Sequence, residues 1–403
     1  MLKTRSELNR TKHVAEKPGL YQQLVFKQLS KMNLGSLKLI LPDGYTIFFG
    51  NGINPISACI TITHIDFFKK LMLFGDIGFG EAYVEGLWQT DNITNVISWV
   101  LLNVENAPNV SGSKTQTFAH NVLRVWNSIT HHSRSNTLAG SRKNISEHYD
   151  LNNAFFATFL DKTMTYSSAY FRNEGMDLEE AQYEKYDRLC QKLNLQPSDH
   201  VLEIGSGWGG NAIFMAKNYG CKVTSLTLSV EQQKLAMQRI AEDGLSERVQ
   251  ILLMDYRHIE GSFDKIVSIE MLEAVGHQYL DSYFEKCHSL LKKDGILAIQ
   301  VITCPDPRYD SLRKGVDWIQ KYIFPGSLLP SVSAINQSVN RTGDMSLVDL
   351  KEFGLHYAYT LKAWLDKFNE NLTEIRSLGY DDHFIRKWTY YLSYCEAAFA
   401  MRN

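Results

Sequence analysis

The stretch Val201-Leu202-Glu203-Ile204-Gly205-Ser206-Gly207-Trp208-Gly209-Gly210 constrains this chain more than any other. A run of strand character enters a turn containing four glycines, and a helix-forming run follows at Gly210–Asn218. Glycines at such a point let the backbone turn sharply and approach a ligand closely. Compact apolar runs of strand length recur on either side, at His200–Ile204, Lys222–Leu228, Gln250–Met254, Lys265–Ile269 and Ile296–Ile302. Helical stretches lie between them, at Gly210–Asn218, Val230–Glu242 and Tyr279–Leu291. Strand–helix alternation with nearly continuous apolar strands predicts an α/β fold, its parallel sheet covered on both faces. Ligands of such sheets bind beyond the carboxyl ends of the strands, near the topological switch point.

The glycine spacing narrows the ligand. It is GxGxG rather than GxGxxG, and a dinucleotide site wants an acidic residue about 20 positions later for the ribose. Here that region reads Leu226-Thr227-Leu228-Ser229, with no carboxylate before Glu231. A pyrophosphate is therefore disfavoured. A nucleoside without phosphate, such as S-adenosylmethionine, suits the pattern better, with Glu203 and the loop backbone holding its polar end.

Composition excludes several classes. At 403 residues, two to three domains of roughly 150 residues are expected. The formal net charge of −2 does not argue for a nucleic-acid binder. No apolar run is long enough for a transmembrane helix, and Met1–Pro18 lacks the apolar segment of a secretory signal. The six cysteines show no CxxC, so neither a disulfide framework nor a zinc site is expected, and the reducing cytosol is the expected compartment. The His131-His132 pair sits in a polar segment and reads as solvated rather than metal-bound.

Charge is placed unevenly. Residues 1–35 carry seven Lys/Arg against Glu7 and Glu16, and Leu20, Tyr21, Leu24, Val25, Leu29 and Met32 recur at helical spacing. Such a helix can lie on an anionic membrane surface or pack on its own domain; the pattern leaves both open. Ser36–Leu41, Thr46–Phe49 and Cys59–Thr63 read as strands separated by turns, and His64–Phe74 and Thr94–Asn103 as helices. The expected organisation is a smaller N-terminal α+β docking domain over 1–105, a linker over 106–143 containing a helix at Gln116–Ile129, and a Rossmann-like catalytic domain over 144–403.

Several stretches carry a resemblance. They are Asn144-Ile145-Ser146-Glu147-His148-Tyr149-Asp150, Met164-Thr165-Tyr166-Ser167-Ser168-Ala169-Tyr170-Phe171, the glycine turn, Thr227-Leu228-Ser229-Val230-Glu231-Gln232 and Asp255-Tyr256-Arg257. Ser268-Ile269-Glu270-Met271-Leu272-Glu273-Ala274-Val275-Gly276, Lys321-Tyr322-Ile323-Phe324-Pro325 and Tyr390-Tyr391-Leu392-Ser393-Tyr394-Cys395-Glu396 complete the set. In this order, the region from about Gly140 onward resembles the catalytic domain of the cyclopropane-fatty-acyl-phospholipid synthases and the related mycolic acid cyclopropane synthases. Phe74-Gly75-Asp76 and Gly80–Gly86 also resemble the lipid-associated domain of the phospholipid-acting members.

The resemblance implies an S-adenosylmethionine-dependent methyltransferase. It would act on the cis double bond of unsaturated acyl chains in membrane phospholipid and form cyclopropane fatty acids. It also implies a cytoplasmic enzyme lying peripherally on the inner face of the membrane, with a homodimer kept open. Tyr166 and Ser167 would touch the methionine end of the cofactor, and Glu203, Gly205, Ser206, Gly207, Trp208 and Gly209 would lie beneath it. Thr227, Leu228 and Gln232 would contact the ribose and adenosine, and Asp255, Tyr256 and Arg257 the adenine side. A bicarbonate pocket, serving as base, maps to Ser168, Glu273, Gln300, Ile302 and Tyr357. The catalytic set is Glu273, Tyr357, Cys395, Ser168 and Gln300. Trp208 and Cys395 also read as packing residues, and Glu270 is open between the cofactor and a helix cap. Residues 308–339 would help build the acyl channel. No metal is implied.

The sequence departs from the family pattern where Ser168 replaces cysteine, Gln300 replaces histidine and Ala274 replaces histidine. Serine and glutamine can hydrogen-bond an anion but cannot carry a histidine's charge, which weakens the case for bicarbonate. Methyl- or methylene-branched products therefore stay open, as do methylation of a small soluble metabolite and lipid binding without chemistry.

Overall fold

The computed structural model describes residues 19–106, 152–173 and 175–402. The expected helix at Gln116–Ile129, the expected linker beyond residue 106, His131-His132, Asn144–Asp150 and the basic residues Lys3 to Lys17 lie outside them.

The first described part contains α1 (Leu20–Leu29), β1 (Ser36–Ile40), β2 (Thr46–Gly50), β3 (Ser57–Ile62), α2 (Asp66–Val84), β4 (Trp88–Gln89) and α3 (Ile93–Leu102). The strands form one mixed sheet in the order β2-β1-β3-β4. β1 runs antiparallel to β2 and parallel to β3. Strand side chains alternate between faces. Leu37 and Leu39 on β1, with Ala58, Ile60 and Ile62 on β3, therefore share the buried face, and Trp99 of α3 joins the same core. The helix expected to end at Phe74 runs on to Val84, broken at Gly75, whose φ of 59° lies in the left-handed region.

This part is clamped to the C-terminal helices. A Cβ on Gly80 would lie 2.6 Å from the Trp318 ring and 2.8 Å from that of Tyr390, so glycine there permits the close approach. Arg386 donates to the carbonyls of Tyr83 (2.7 Å) and Trp88 (3.0 Å) while lying over the Tyr83 ring. Glu81 accepts from Lys321 and Tyr322, and Thr94 donates to Glu396.

The second part begins with α4 (Asn153–Ala157) and α5 (Leu178–Leu193) and then alternates: β5 (His200–Ile204), α6 (Gly210–Tyr219), β6 (Lys222–Thr227), α7 (Val230–Glu242), β7 (Val249–Leu253), β8 (Phe263–Ile269), α8 (Leu280–Leu290) and β9 (Leu291–Gln300). All five strands are parallel, in the order β7-β6-β5-β8-β9. The chain reverses its direction of growth between β5 and β8, which places the switch point beside the glycine turn. The expected strands are present within two residues at β5 to β8. β9 starts five residues earlier than its apolar run, because pairing carries across an irregularity in which Asp294 takes a φ of 64°.

The chain closes with α9 (Asp306–Leu312), α10 (Trp318–Tyr322), α11 (Val332–Thr342), α12 (Gly354–Glu370), α13 (Leu372–Ser377) and α14 (Asp382–Ala400). α12 and α14 pack α4 and the 158–171 segment into an aromatic core. Ring centroids lie 4.8 Å apart for Phe155–Trp388, 5.0 Å for Phe156–Trp208 and 5.3 Å for Tyr166–Trp364. Such rings dominate core energetics through their buried area, and here they fix the segment that forms one wall of the site. Among the described residues no helix is long and apolar enough to cross a membrane.

Candidate active site

A cavity of about 200 Å³ opens at the carboxyl ends of β5, β6 and β8. Its floor is the glycine turn. Gly205 and Gly207 have φ of 100° and 48°, and a Cβ built on Gly207 meets nothing within 4 Å. Gly209 does not border the cavity. It sits at φ 83° as the N-cap of α6, where a Cβ would lie 3.1 Å from that of Ala236, so it shapes the turn instead. Trp208 borders the cavity, packs on Phe156 and donates to Asn153 at 2.7 Å.

The other expected cofactor residues converge here. Tyr166, Ser167, Glu203, Ser206, Thr227, Leu228, Gln232, Asp255, Tyr256 and Arg257 all line the cavity. Ser229 caps α7 by accepting from the Gln232 N–H, and Thr227 donates to Gln232 Oε1 at 2.8 Å. Arg257 donates to both Asp255 oxygens at 2.8 and 2.7 Å. Burial alone would raise the Asp255 carboxyl, but the Arg257 bonds outweigh it and hold it below the usual range. Burial pushes the Tyr256 phenol up to about 12. Tyr166 donates to the Tyr391 hydroxyl at 2.9 Å. Ser167 accepts from the buried Lys185 at 2.8 Å; burial lowers this ammonium to about 7, with Glu270, Asp161 and Glu203 opposing. Glu203 accepts from Asn211 and Ser225, and burial raises it to about 7.

These residues fit the nucleoside that the turn implied. Asn211 borders the cavity, and its Oδ1 is buried without a hydrogen-bond donor. The floor is bare of side chains at Gly207, and among the described residues no lysine lines the cavity, whose Arg257 is paired with Asp255.

The expected anion pocket is arranged differently. Ser168, Glu273, Gln300, Ile302, Tyr357 and Cys395 do not border the cavity. Three of them converge instead on Glu270, which does. Glu270 Oε1 accepts from the Ser168 N–H and from Gln300 Nε2, both at 2.9 Å, and Oε2 accepts from the Tyr357 hydroxyl at 2.9 Å. Glu273 lies alongside, one oxygen accepting from the Ile302 N–H at 2.5 Å and the other buried with no donor. Burial first and the Glu270 charge second raise Glu273 to about 8. Cys395, on α14, packs within electrostatic reach of Tyr357 and Tyr391, and burial pushes its thiol far above the ordinary value, which disfavours a nucleophilic thiolate. Residues 308–339 contribute nothing to the lining. Their Phe324 packs on Tyr166 (6.4 Å) and Tyr391 (5.8 Å), and Leu328 donates to the Glu273 carbonyl.

From sequence, Glu270 stood open between the cofactor and a helix cap, and Lys185 and Asn211 were not singled out. Lys185 falls one helical turn from both Ala181 and Leu189, on the buried stripe of α5, which was a usable signal. Asn211 sits at the start of α6, directly after the glycines.

A parallel sheet in this order, with a cavity at its glycine turn, is the architecture of an S-adenosylmethionine-dependent methyltransferase, the class to which the following likenesses assign the chain. Residues 136–403 match the family described as mycolic acid cyclopropane synthetase. The chain is 41% identical to tuberculostearic acid methyltransferase UfaA1 of Mycobacterium tuberculosis, over 82% of this chain and 77% of that protein. It is 39% identical to cyclopropane-fatty-acyl-phospholipid synthase of Escherichia coli, over 88% and 87%. The solved structure of mycolic acid cyclopropane synthase CmaA1 complexed with SAH and CTAB superposes with a TM-score of 0.60 at 31% identity, covering 64% of this chain and 94% of that one. The chain belongs to the mycolic acid cyclopropane synthetase family.

Proposed function

We propose that the enzyme transfers the methyl of S-adenosylmethionine to the cis double bond of unsaturated acyl chains in membrane phospholipid and closes a cyclopropane ring. The observation that carries this reading is a nucleoside cavity sharing its wall with an aromatic core and a buried carboxylate. When bound, S-adenosylmethionine supplies an electrophilic methyl on a sulfonium centre. An alkene is a weak nucleophile, so its attack develops positive charge on carbon, which water would quench. Tyr166 lines the cavity, backed by the rings of Phe324 and Trp364 and hydrogen-bonded to Tyr391, and this aromatic wall would exclude water and offer one π face that favours a cation. Thr227 and Gln232 would hold the ribose, Asp255 through Arg257 the adenine side, and Asn211 and the Gly205–Gly207 backbone the methionine end.

The likeness to the E. coli enzyme, over 88% of this chain, reaches into the N-terminal region, which supports docking on a phospholipid surface. Leu20 is 70% exposed, and Tyr21 and Leu24 lie outward on α1 while Val25 packs inward. Phe48 and Ile53 are exposed at 72% and 85%. The helix thus packs on its own domain and still presents an apolar edge, beside Lys27, Lys31 and Lys38. We take residues 1–105 as the docking domain and the enzyme as peripheral to the inner membrane face, with a dimer open to test by light scattering.

The test is mass spectrometry of unsaturated phospholipid vesicles incubated with enzyme and S-adenosylmethionine. A gain of one CH2 with loss of the alkene supports the reading; no conversion overturns it. A second reading, a methyl- or methylene-branched chain, is favoured by the 41% identity to a tuberculostearic acid methyltransferase. It requires the same mass gain with the alkene retained.

A further inference from the structure

We propose that the Glu270 carboxylate is the general base of this reaction, built into the chain and filling the seat the resemblance assigned to bicarbonate. This rests on the acyl-chain reading above. Three residues expected to hold the anion already bond one carboxylate, through the Ser168 N–H, Gln300 Nε2 and the Tyr357 hydroxyl. All three donors face charge-accepting oxygen, which favours the ionised form. The remaining two, Glu273 and the Ile302 N–H, bond each other.

The backbone shows what this arrangement demands. Glu270 holds a φ of 49°, a conformation that glycine adopts freely and a glutamate rarely does. It is held there at the end of β8 by its own N–H, which donates to the Gln300 carbonyl at 2.7 Å. The residue borders the cofactor cavity beside Met271 and Ala274, with its carboxylate held at the cavity wall by Ser168, Gln300 and Tyr357. Strained backbone that the surroundings over-determine marks functional positions.

Two buried carboxyls this close hold one proton between them. Burial raises both carboxyls, but the second oxygen of Glu273 has no donor, whereas three donors and the Lys185 charge oppose the rise at Glu270. Glu273 therefore carries the proton and Glu270 the charge. At the step Glu270 serves, the alkene has accepted the methyl, the sulfonium has left as a neutral thioether, and the second alkene carbon is cationic. Glu270 takes one proton from the transferred methyl. The released C–H electron pair forms the bond that closes the ring, and Glu270 is left as a neutral acid that returns its proton to solvent. Removal of a proton from the neighbouring chain carbon by the same oxygen would instead retain an alkene and leave a branch.

The experiment compares the full-length enzyme with Glu270→Gly and Glu270→Gln on unsaturated vesicles, in carbonate-free buffer and with added bicarbonate. 13C NMR of labelled bicarbonate provides a binding readout without cofactor. Wild type should turn over equally in both buffers and leave the bicarbonate signal unperturbed. Glu270→Gly should lose about 100-fold or more, the scale of a general base. It should then bind bicarbonate and recover at least ten-fold with it. Glu270→Gln, which keeps the seat filled, should lose as much without recovery while retaining the wild-type melting temperature. Bicarbonate binding or dependence in the wild type, or full activity of Glu270→Gln, overturns the proposal. A wild type that converts no lipid sinks the acyl-chain reading instead, and the NMR arm still decides who holds the seat.

Discussion

Gly207 and Gly209 sit two residues apart in the same turn, yet alanine at each should damage a different property. Both occupy the left-handed region, at φ 48° and 83°. Alanine at either costs about 1–2 kcal/mol for that conformation alone. At Gly207 the added Cβ meets no atom within 4 Å and stands at the edge of the cavity. The stability loss should stop near that figure, about 2–4 °C in melting temperature per kcal/mol for a domain of this size. Cofactor affinity should fall about ten-fold or more, since the methyl takes the space where the backbone must approach its ligand, and ten-fold is about 1.4 kcal/mol. At Gly209 the Cβ lies 3.1 Å from Ala236 and points away from the cavity, between α6 and α7. Overpacking of that kind adds about 1–3 kcal/mol, so Gly209→Ala should melt lower than Gly207→Ala while retaining most of its affinity for S-adenosylhomocysteine. Calorimetric titration and thermal unfolding of the two variants separate the effects. Unchanged affinity in Gly207→Ala together with lost affinity in Gly209→Ala would refute this assignment of floor and hinge.

Arg386→Ala removes two charged donors from the carbonyls of Tyr83 and Trp88. It should cost about 2–4 kcal/mol, seen as a lower melting temperature with cofactor affinity intact. Glu273 and Glu203 are raised in the folded state to about 8 and about 7 from an ordinary 4.5. The folded protein then binds more protons than the unfolded chain between those limits, so their stabilising contribution is full below about 4.5 and is lost as pH rises toward 8. Chemical denaturation across that window should show Glu273→Gln with a flatter decline than wild type. Lys185→Met removes the positive charge near Glu270, which also faces Glu273, Tyr357 and Tyr391. The acid limb of the activity profile should therefore move to higher pH.

The sheet was legible because its strands are buried on both faces, and burial forces the apolar runs that mark His200–Ile204 and Lys265–Ile269. The glycine turn beneath the cavity was legible for a related reason: the left-handed angles at Gly205, Gly207 and Gly209 favour glycine. Gly209 shows the limit of that signal, since the pattern marks a bent backbone without saying which glycine meets the ligand. The continuation of α2 past Gly75 was hidden because a glycine within a helix reads as a stop. Here the helix resumes at once and needs Gly80 bare to lie against Trp318.

Glu270 was hidden for a deeper reason. Its partners Ser168, Gln300 and Tyr357 are separated from it by up to 102 residues in the chain. The three were expected as catalytic residues and as the wall of a pocket for a free anion. A wall of neutral donors reads the same in sequence whether the anion arrives from solvent or is tethered to the chain. What differs is the backbone: here the tethered carboxylate comes from a residue bent into the left-handed region, and φ is not written in composition or spacing. The departures from the family pattern then acquire a single physical account. With a carboxylate already anchored in the seat, a histidine's positive charge is no longer needed to capture an anion from solution. Ser168 and Gln300 have only to orient an oxygen that cannot leave.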